Sequence, residues 1–335
     1  MPRVRPHRRD LLLSSLALAA SAALRPGRVV AASGEQIRIG FLGTGPREGR
    51  AFLVEGLKRG LREQGYIDGQ NIVIEYRFSD DDDRRLPALA AELLALNVRL
   101  IVASGTPASV AARNATTTVP IVMGGLSADP VEAGFIKSLA RPGGNVTGMT
   151  MMSADLGPKR LELLKDIVPR LARVAVLNNP ANPAYAPILR ELDAGARRLN
   201  LTIRLVEVRV ARDLEGAVAS ARERAEALLV PSDPLVINRP RAVADLALKQ
   251  RLPAMMDIKE FAEAGGLLSL GLDLVDSYRR AAGHVARILK GAYPGDLPME
   301  QPTKFDLVIN MKTASRLAIT IPQSVLLQAT DVITA

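Results

Sequence analysis

Short β-branched runs alternate with amphipathic helical stretches along almost the whole chain, and the alternation stops and restarts once. Ile37 to Leu42, Asn71 to Tyr76, Val98 to Ala103 and Val119 to Met123 read as strands. Between and after them come a helix with Val54, Leu57 and Leu61 on one face, then Leu86 to Leu96, Pro107 to Asn114 and about Pro130 to Leu139. Arg141-Pro142-Gly143-Gly144 closes this run. Asn145 to Met149 opens the second, followed by helix Pro158–Ile167, strand Arg173–Leu177, helix Ile188–Leu199 and strand Leu201–Val206. Helix Leu214–Arg224, strand Ala227–Val230, helix Arg241–Gln250 and strand Leu252–Met256 continue it. Strands separated by helices return to parallel neighbours through right-handed crossovers. Two such runs predict an α/β protein of two doubly wound parallel-sheet lobes joined by a hinge.

The tail breaks the rhythm. Gly266 to Leu270 reads as a strand, Tyr278 to Leu289 as a helix and Phe305 to Ile309 as a late strand. Lys312 to Leu317 and Pro322 to Ala329 read as short helices. Neither run closes by itself, so the tail is expected to cross back between lobes. The N-terminal lobe is then 36–147 plus about 266–298, and the C-terminal lobe 148–265 plus about 299–335.

Before the first strand lies a leader. Arg8-Arg9 precedes the apolar run Leu11 to Leu24, whose 14 residues suit a signal-peptide core and fall short of a membrane span. The paired arginines favour twin-arginine export, and Val30-Ala31-Ala32 offers a small-residue cleavage site, so residues 1–32 are expected to leave a mature chain starting near Ser33. The leader carries six arginines and one aspartate, which leaves +4 of the chain's formal +9 to the rest. There the basic residues interleave with acids, as in Lys58-Arg59 and Arg62-Glu63, the pattern of solvated helix faces. With aromatics at 3% and no Trp, a nucleic-acid partner is not expected. No later apolar run reaches 18 residues, so a product released into the periplasm, with no span of its own, is the expectation.

Cysteine is absent, and His284 is the only histidine after the leader. Thiol nucleophiles, Ser-His-Asp triads and His/Cys metal sites largely drop out, and no cofactor is expected. His284 lies in a helical pattern and reads as a packing or surface residue. Gly266-Leu267-Leu268-Ser269-Leu270-Gly271 lacks the spacing of a nucleophile elbow. Ser79-Asp80-Asp81-Asp82-Asp83 lacks the spaced ligands of a calcium loop and directly precedes a helix, where acids cap free amides. Gly43-Thr44-Gly45 follows a first strand, but Glu48 stands where a dinucleotide fingerprint needs its third glycine.

Ligands of open parallel sheets bind beyond the carboxyl ends of the strands, beside helix N-termini. The loops there are Gly43-Thr44-Gly45-Pro46, Ser104-Gly105-Thr106-Pro107 and Gly124 to Pro130, with Ser127 and Asp129. The second run contributes Asn178-Asn179-Pro180-Ala181-Asn182-Pro183, then Pro231-Ser232-Asp233-Pro234, then Asp257. Each of these residues is also an ordinary turn or cap former; their concentration on one predicted rim is what singles them out. Thr44, Gly45, Ser104, Gly105, Thr106, Ser127, Asp129, Asn178, Asn182, Tyr185, Asp233 and Asp257 are the candidate ligand-binding residues. Hydroxyls and helix amides of Thr44, Ser104, Thr106 and Ser127 would hold an anionic or polar end. Asp233 or Asp257 would take an ammonium or hydroxyl.

Several runs carry a resemblance over essentially the whole chain after the leader. They are Phe41-Leu42-Gly43-Thr44, Leu57 to Tyr66 with Gly69-Gln70-Asn71-Ile72, Asp129 to Gly134, and Ser138 to Gly148. Pro180-Ala181-Asn182-Pro183 and Ile321-Pro322-Gln323-Ser324 complete the set. The chain resembles the tryptophan/tyrosine-type substrate-binding proteins of ABC transporters, with the type I periplasmic-binding fold. The resemblance implies capture of a small polar solute, an amino acid or related carboxylate, and its delivery by a monomer to an ABC permease in the inner membrane. Phe41 and Tyr185 are then among the few side chains that could stack on a ring. A ligand-sensing partner of a sensor kinase and, further off, an enzyme on the same fold remain the alternatives.

Overall fold

The computed structural model describes residues 36–151 and 154–334. The expected signal peptide, its arginine pair and its cleavage site lie outside the described residues.

Five strands form the first sheet: β1 (Ile37–Gly43), β2 (Ile72–Phe78), β3 (Ile101–Ser104), β4 (Ile121–Leu126) and β5 (Val146–Thr150). Their order is β2-β1-β3-β4-β5 and every pairing is parallel. α1 (Ala51–Glu63), α2 (Leu86–Ala95) and α3 (Thr106–Ala115) make the crossovers. β3 and β4 are buried at every residue, as strands covered on both faces must be.

The second sheet holds β6 (Arg173–Asn178), β7 (Thr202–Glu207), β8 (Ala227–Val230), β9 (Ala254–Met256), β10 (Leu268–Gly271), β11 (Asp306–Asn310) and β12 (Asp331–Ile333). The order is β12-β11-β10-β9-β8-β6-β7, and only β10 with β11 is antiparallel. Around it lie α4 (Gly157–Ile167), α5 (Tyr185–Arg198), α6 (Leu214–Arg224), α7 (Pro234–Ile237), α8 (Pro240–Lys249) and α9 (Lys259–Glu263). α10 (Leu274–Leu289) follows, then α11 (Met311–Arg316) and α12 (Gln323–Leu326).

The stretch β7-β6-β8-β9-β10 repeats the order β2-β1-β3-β4-β5 of the first sheet. Each sheet therefore reverses its winding beside its first strand, between β1 and β3 and between β6 and β8. These are the switch points at which doubly wound sheets open a crevice.

The tail divides differently from the sequence-based boundaries. Leu268–Gly271 pairs with β9 and β11, so it belongs to the second sheet and not to the first lobe. Only α10 crosses back: Tyr278, Ala281, Ala282 and Val285 pack in one core with Leu53, Leu57 and Leu61 of α1. β5 runs to Thr150, three residues beyond the expected boundary, and a third crossing near Glu300 brings the chain to β11. Alternation alone cannot say which sheet a strand joins, since a strand leaving either core looks equally apolar.

The helix expected at Pro130–Leu139 does not form. Asp129 Oδ1 accepts from the amides of Val131 at 2.7 Å and Glu132 at 2.9 Å, and Gly134 enters the left-handed region at φ +70°. A side chain satisfying those amides makes a turn, and the positive φ stops it becoming a helix. The expected Pro322–Ala329 helix shrinks to α12. α7, α9 and β12 were too short to leave a periodic signal.

Candidate functional site

Thr44 stands at the end of β1 and Ser104 at the end of β3, on either side of the first switch point, and both are fully buried. Thr44 Oγ1 donates to the Ser104 carbonyl at 3.2 Å, and the Tyr278 hydroxyl donates to Ser104 Oγ at 2.6 Å. Burial keeps the Tyr278 phenol above its ordinary range, so it stays a proton donor. Arg50 closes the group: its Nε donates to the Thr44 carbonyl at 3.1 Å and its Nη2 to Thr44 Oγ1 at 2.6 Å. Arg50 was not among the sequence-derived candidates. Its signal was available, a lone cation three and seven residues ahead of Leu53 and Leu57 on the apolar stripe of α1.

Gly45 donates its amide to Ser79 Oγ at 2.9 Å, and Ser79 donates to Asp83 at 2.7 Å. The carboxyl of Asp83 is raised from its ordinary range, mainly by burial. Gly105 precedes α3, and Thr106 starts it with a buried Oγ1 that has no hydrogen-bond partner among the described residues.

On the facing lobe, Asn178 ends β6 with an enclosed, unpartnered Oδ1. Asp233 gathers its own loop: it accepts from Asn179 at 3.1 Å, Asn182 at 2.9 Å and the Leu235 amide at 2.8 Å, the last capping α7. Burial lifts its carboxyl above the ordinary range against those bonds. Asp257 accepts from the Ser232 amide at 3.0 Å and its hydroxyl at 2.6 Å, with Arg160 at 3.8 Å. Tyr185 is buried, its hydroxyl 3.5 Å from the Pro231 carbonyl. Phe41 is enclosed among Tyr76, Phe78 and Tyr278, with ring centroids at 5.9, 5.6 and 6.4 Å, so it packs the lobe interior and offers no face to a ring in the cleft.

The lobes meet over these loops. Asn238 Nδ2 donates to the Thr44 carbonyl at 3.3 Å, and Arg239 pairs with Asp81. Asn238 fits where two glycines leave room: a Cβ on Gly45 would lie 1.8 Å from Asn238 Nδ2, and one on Gly49 2.8 Å from Asn238 Cβ. Within the acidic run, Asp82 performs the expected capping, accepting from the Arg84 amide, whereas Asp81 reaches the other lobe. Arg190 and Glu132 form a further cross-lobe pair at the surface.

A cavity of about 410 Å³ opens along the seam, with Thr106, Arg113, Asp129 and Phe135 on one side and Pro183 and Pro187 on the other. A smaller one of about 70 Å³ adjoins it at Ser127, Asp129 and Thr150. Thr150 Oγ1 is likewise buried without a partner. The structure thus brings Thr44, Gly45, Ser104 and Gly105 together, Asn182 with Asp233, and Thr106 with Asp129. Ser127 lies on the smaller cavity, its hydroxyl donating to Met151 Sδ at 3.3 Å. Among the described residues, no cluster of His, Asp or Glu could hold a metal, and no helix is long and apolar enough to cross a membrane.

Two doubly wound lobes facing each other across their strand ends, with the chain passing between them three times, define a type I periplasmic binding protein. The family model for ABC transporter substrate binding proteins matches residues 46–333, and the chain belongs to that family, one of substrate-binding proteins and not of enzymes. It is 29% identical over 264 residues to the tyrosine-binding protein of Clostridioides difficile (strain R20291), covering 78% of this chain and 75% of that one. The ABC domain in complex with L-Trp from Streptococcus pneumonia superposes with a TM-score of 0.82 at 28% identity, over 89% of this chain and all of the other. The ligand-free, open structure of a substrate binding protein with adhesive properties from Clostridium difficile gives 0.62 at 25% identity, over 89% and 99%. The chain follows the L-Trp complex more closely than that open form, in keeping with its cross-lobe contacts.

Proposed function

We propose that this protein is the exported receptor of an ABC importer, capturing an aromatic amino acid between its lobes and handing it to a permease in the inner membrane. Export by the twin-arginine route, release into the periplasm and action as a monomer belong to the same reading. The observation that carries it is the cleft itself, closed over buried polar atoms from both lobes that have no hydrogen-bond partner among the described residues. Thr106 Oγ1, Asn178 Oδ1 and Asn238 Oδ1 can accept from an ammonium or another N–H. Thr44, Gly45, Ser104 and Gly105 form the wall at the β1–β3 switch point, and Ser127 and Asp129 the flank toward the seam cavity. Asn182 and Tyr185 shape the opposite wall. Asp233 and Asp257 act as positioning residues, holding the Asn179–Asn182 loop and Ser232. The relatives that bind tyrosine and L-Trp support the ligand class.

The chain contains no Trp, so emission from added L-tryptophan reports only the ligand. The purified protein is expected to shift that emission to shorter wavelength with saturation, and L-tyrosine to reverse the shift by competition. A linear, unsaturated response up to millimolar tryptophan would sink the aromatic assignment.

A further inference from the structure

Arg50 is only 2% exposed. A guanidinium so placed carries a large desolvation penalty, which proteins ordinarily offset with a carboxylate in contact. Arg160, similarly buried, has Asp257 at 3.8 Å. Arg50 has no carboxylate within 4.0 Å among the described residues, and its two hydrogen bonds there both go to Thr44. Asp83 and Asp233 act on it only at longer range. Its Nη1 donates to no atom of the described residues.

Position adds to this. Thr44, the residue Arg50 holds, ends β1 at the switch point and bonds across to the end of β3. On the far side Thr44 accepts Asn238 from the other lobe. The positive charge therefore lies directly behind the β1–β3 wall of the cleft. A cation kept dry and without a counter-ion is suited to one class of visitor.

We infer that Arg50 is the specificity-determining cation of the cleft, and that its Nη1 takes a carboxylate oxygen of the bound solute. The inference rests on the cleft being the ligand site. It narrows the ligand to carboxylates and rejects neutral amides, amines and sugars. Thr44 has a positioning part, since its bond to Ser104 and its two bonds from Arg50 fix the plane of the guanidinium. The unpartnered acceptors at Asn178 and Asn238 leave the ammonium of an amino acid to the opposite lobe.

Calorimetric titration of the full-length protein and of Arg50→Met with L-tyrosine, L-tyrosinamide, tyramine, phenylacetate and succinate tests this. Near-ultraviolet circular dichroism checks that the variant is folded. The wild type should bind tyrosine on the order of 10- to 100-fold more tightly than tyrosinamide, the range for a buried charge-assisted hydrogen bond. Arg50→Met should weaken tyrosine by a similar factor and erase the preference over the amide, which a merely structural role would not do. Equal binding of acid and amide by the wild type, or a preference that survives in the variant, would overturn the assignment. If the variant fails to fold, the wild-type comparison of acid with amide still decides. Succinate bound through Arg50 in place of tyrosine would remove the aromatic reading and keep this one, and phenylacetate in place of tyrosine would keep the ring and remove the amino group from that reading. Binding of no carboxylate at all overturns both.

Discussion

Glu260, in the first turn of α9, is a carboxyl whose protonated form the fold favours. Its Oε2 is enclosed without a partner, and burial pushes its pKa up to about 7 from 4.5. Between those two values the native state holds a proton that the unfolded chain has released. Stability from this group is therefore complete below about pH 4.5 and is lost as pH rises through 7. Glu260→Gln keeps the shape and cannot ionise. Urea unfolding should find the variant close to wild type at pH 5 and more stable by about 2 kcal/mol at pH 8. An equal difference at both pH values would show that ionisation is not the cause. Single residues were also where sequence reading was most uneven. Thr44, Ser104 and Thr106 could be placed at strand ends and a helix start because a strand end followed by Gly, Ser or Thr and a helix has a recognisable spelling. Asn238 could not, since its meaning depends on two glycines almost 200 residues earlier in the chain, a juxtaposition that only the closed fold creates. Asp81 was hidden among neighbours whose capping role is the ordinary one.

Among elements, α1 and α10 meet more closely than side chains would allow. A Cβ on Gly60 would lie 2.1 Å from the Arg279 carbonyl oxygen, and one on Gly56 2.6 Å from that of Val275. Both obstacles are backbone, so neither can yield without moving a helix. Gly60→Val is expected to destabilise the protein by roughly 2–4 kcal/mol, as overpacking against rigid backbone does, with a matching fall in urea midpoint. Gly216→Ala, where nothing lies within 4 Å of the added methyl, serves as the comparison in a helix and should be neutral or stabilising. A similar loss in both would mean that the seam is looser than its geometry. The strands and helices of the two runs were legible in the sequence because parallel sheets bury their strands and give their helices one apolar face. The partner of α10 was not. Its stripe of Leu274, Tyr278, Ala281 and Val285 announces a buried helix without naming α1 as the helix it packs on.

The molecule as a whole is held closed by few cross-lobe groups, which sets what closure can contribute to binding. A receptor whose competent form is only partly populated binds more weakly by that fraction, and any contact made only in the closed form raises the fraction. Arg239–Asp81 is such a contact: each side chain keeps 22% and 30% of its surface exposed, and each comes from a different lobe. A partly exposed pair at a rim contributes about 1 kcal/mol or less, and salt weakens it. Arg239→Met should raise the ligand Kd by about 3- to 5-fold, mostly through faster dissociation, and the loss should shrink in 0.5 M salt. The double variant with Asp81→Ala should be no weaker than Asp81→Ala alone, because the pair is already broken. Solution scattering of the ligand-free variant should give a larger radius of gyration than wild type, with the difference closing at saturating ligand. If the two substitutions add independently, or the radius does not change, the pair is a bystander at the rim, and closure must be governed by Asn238 in its glycine socket and by the ligand.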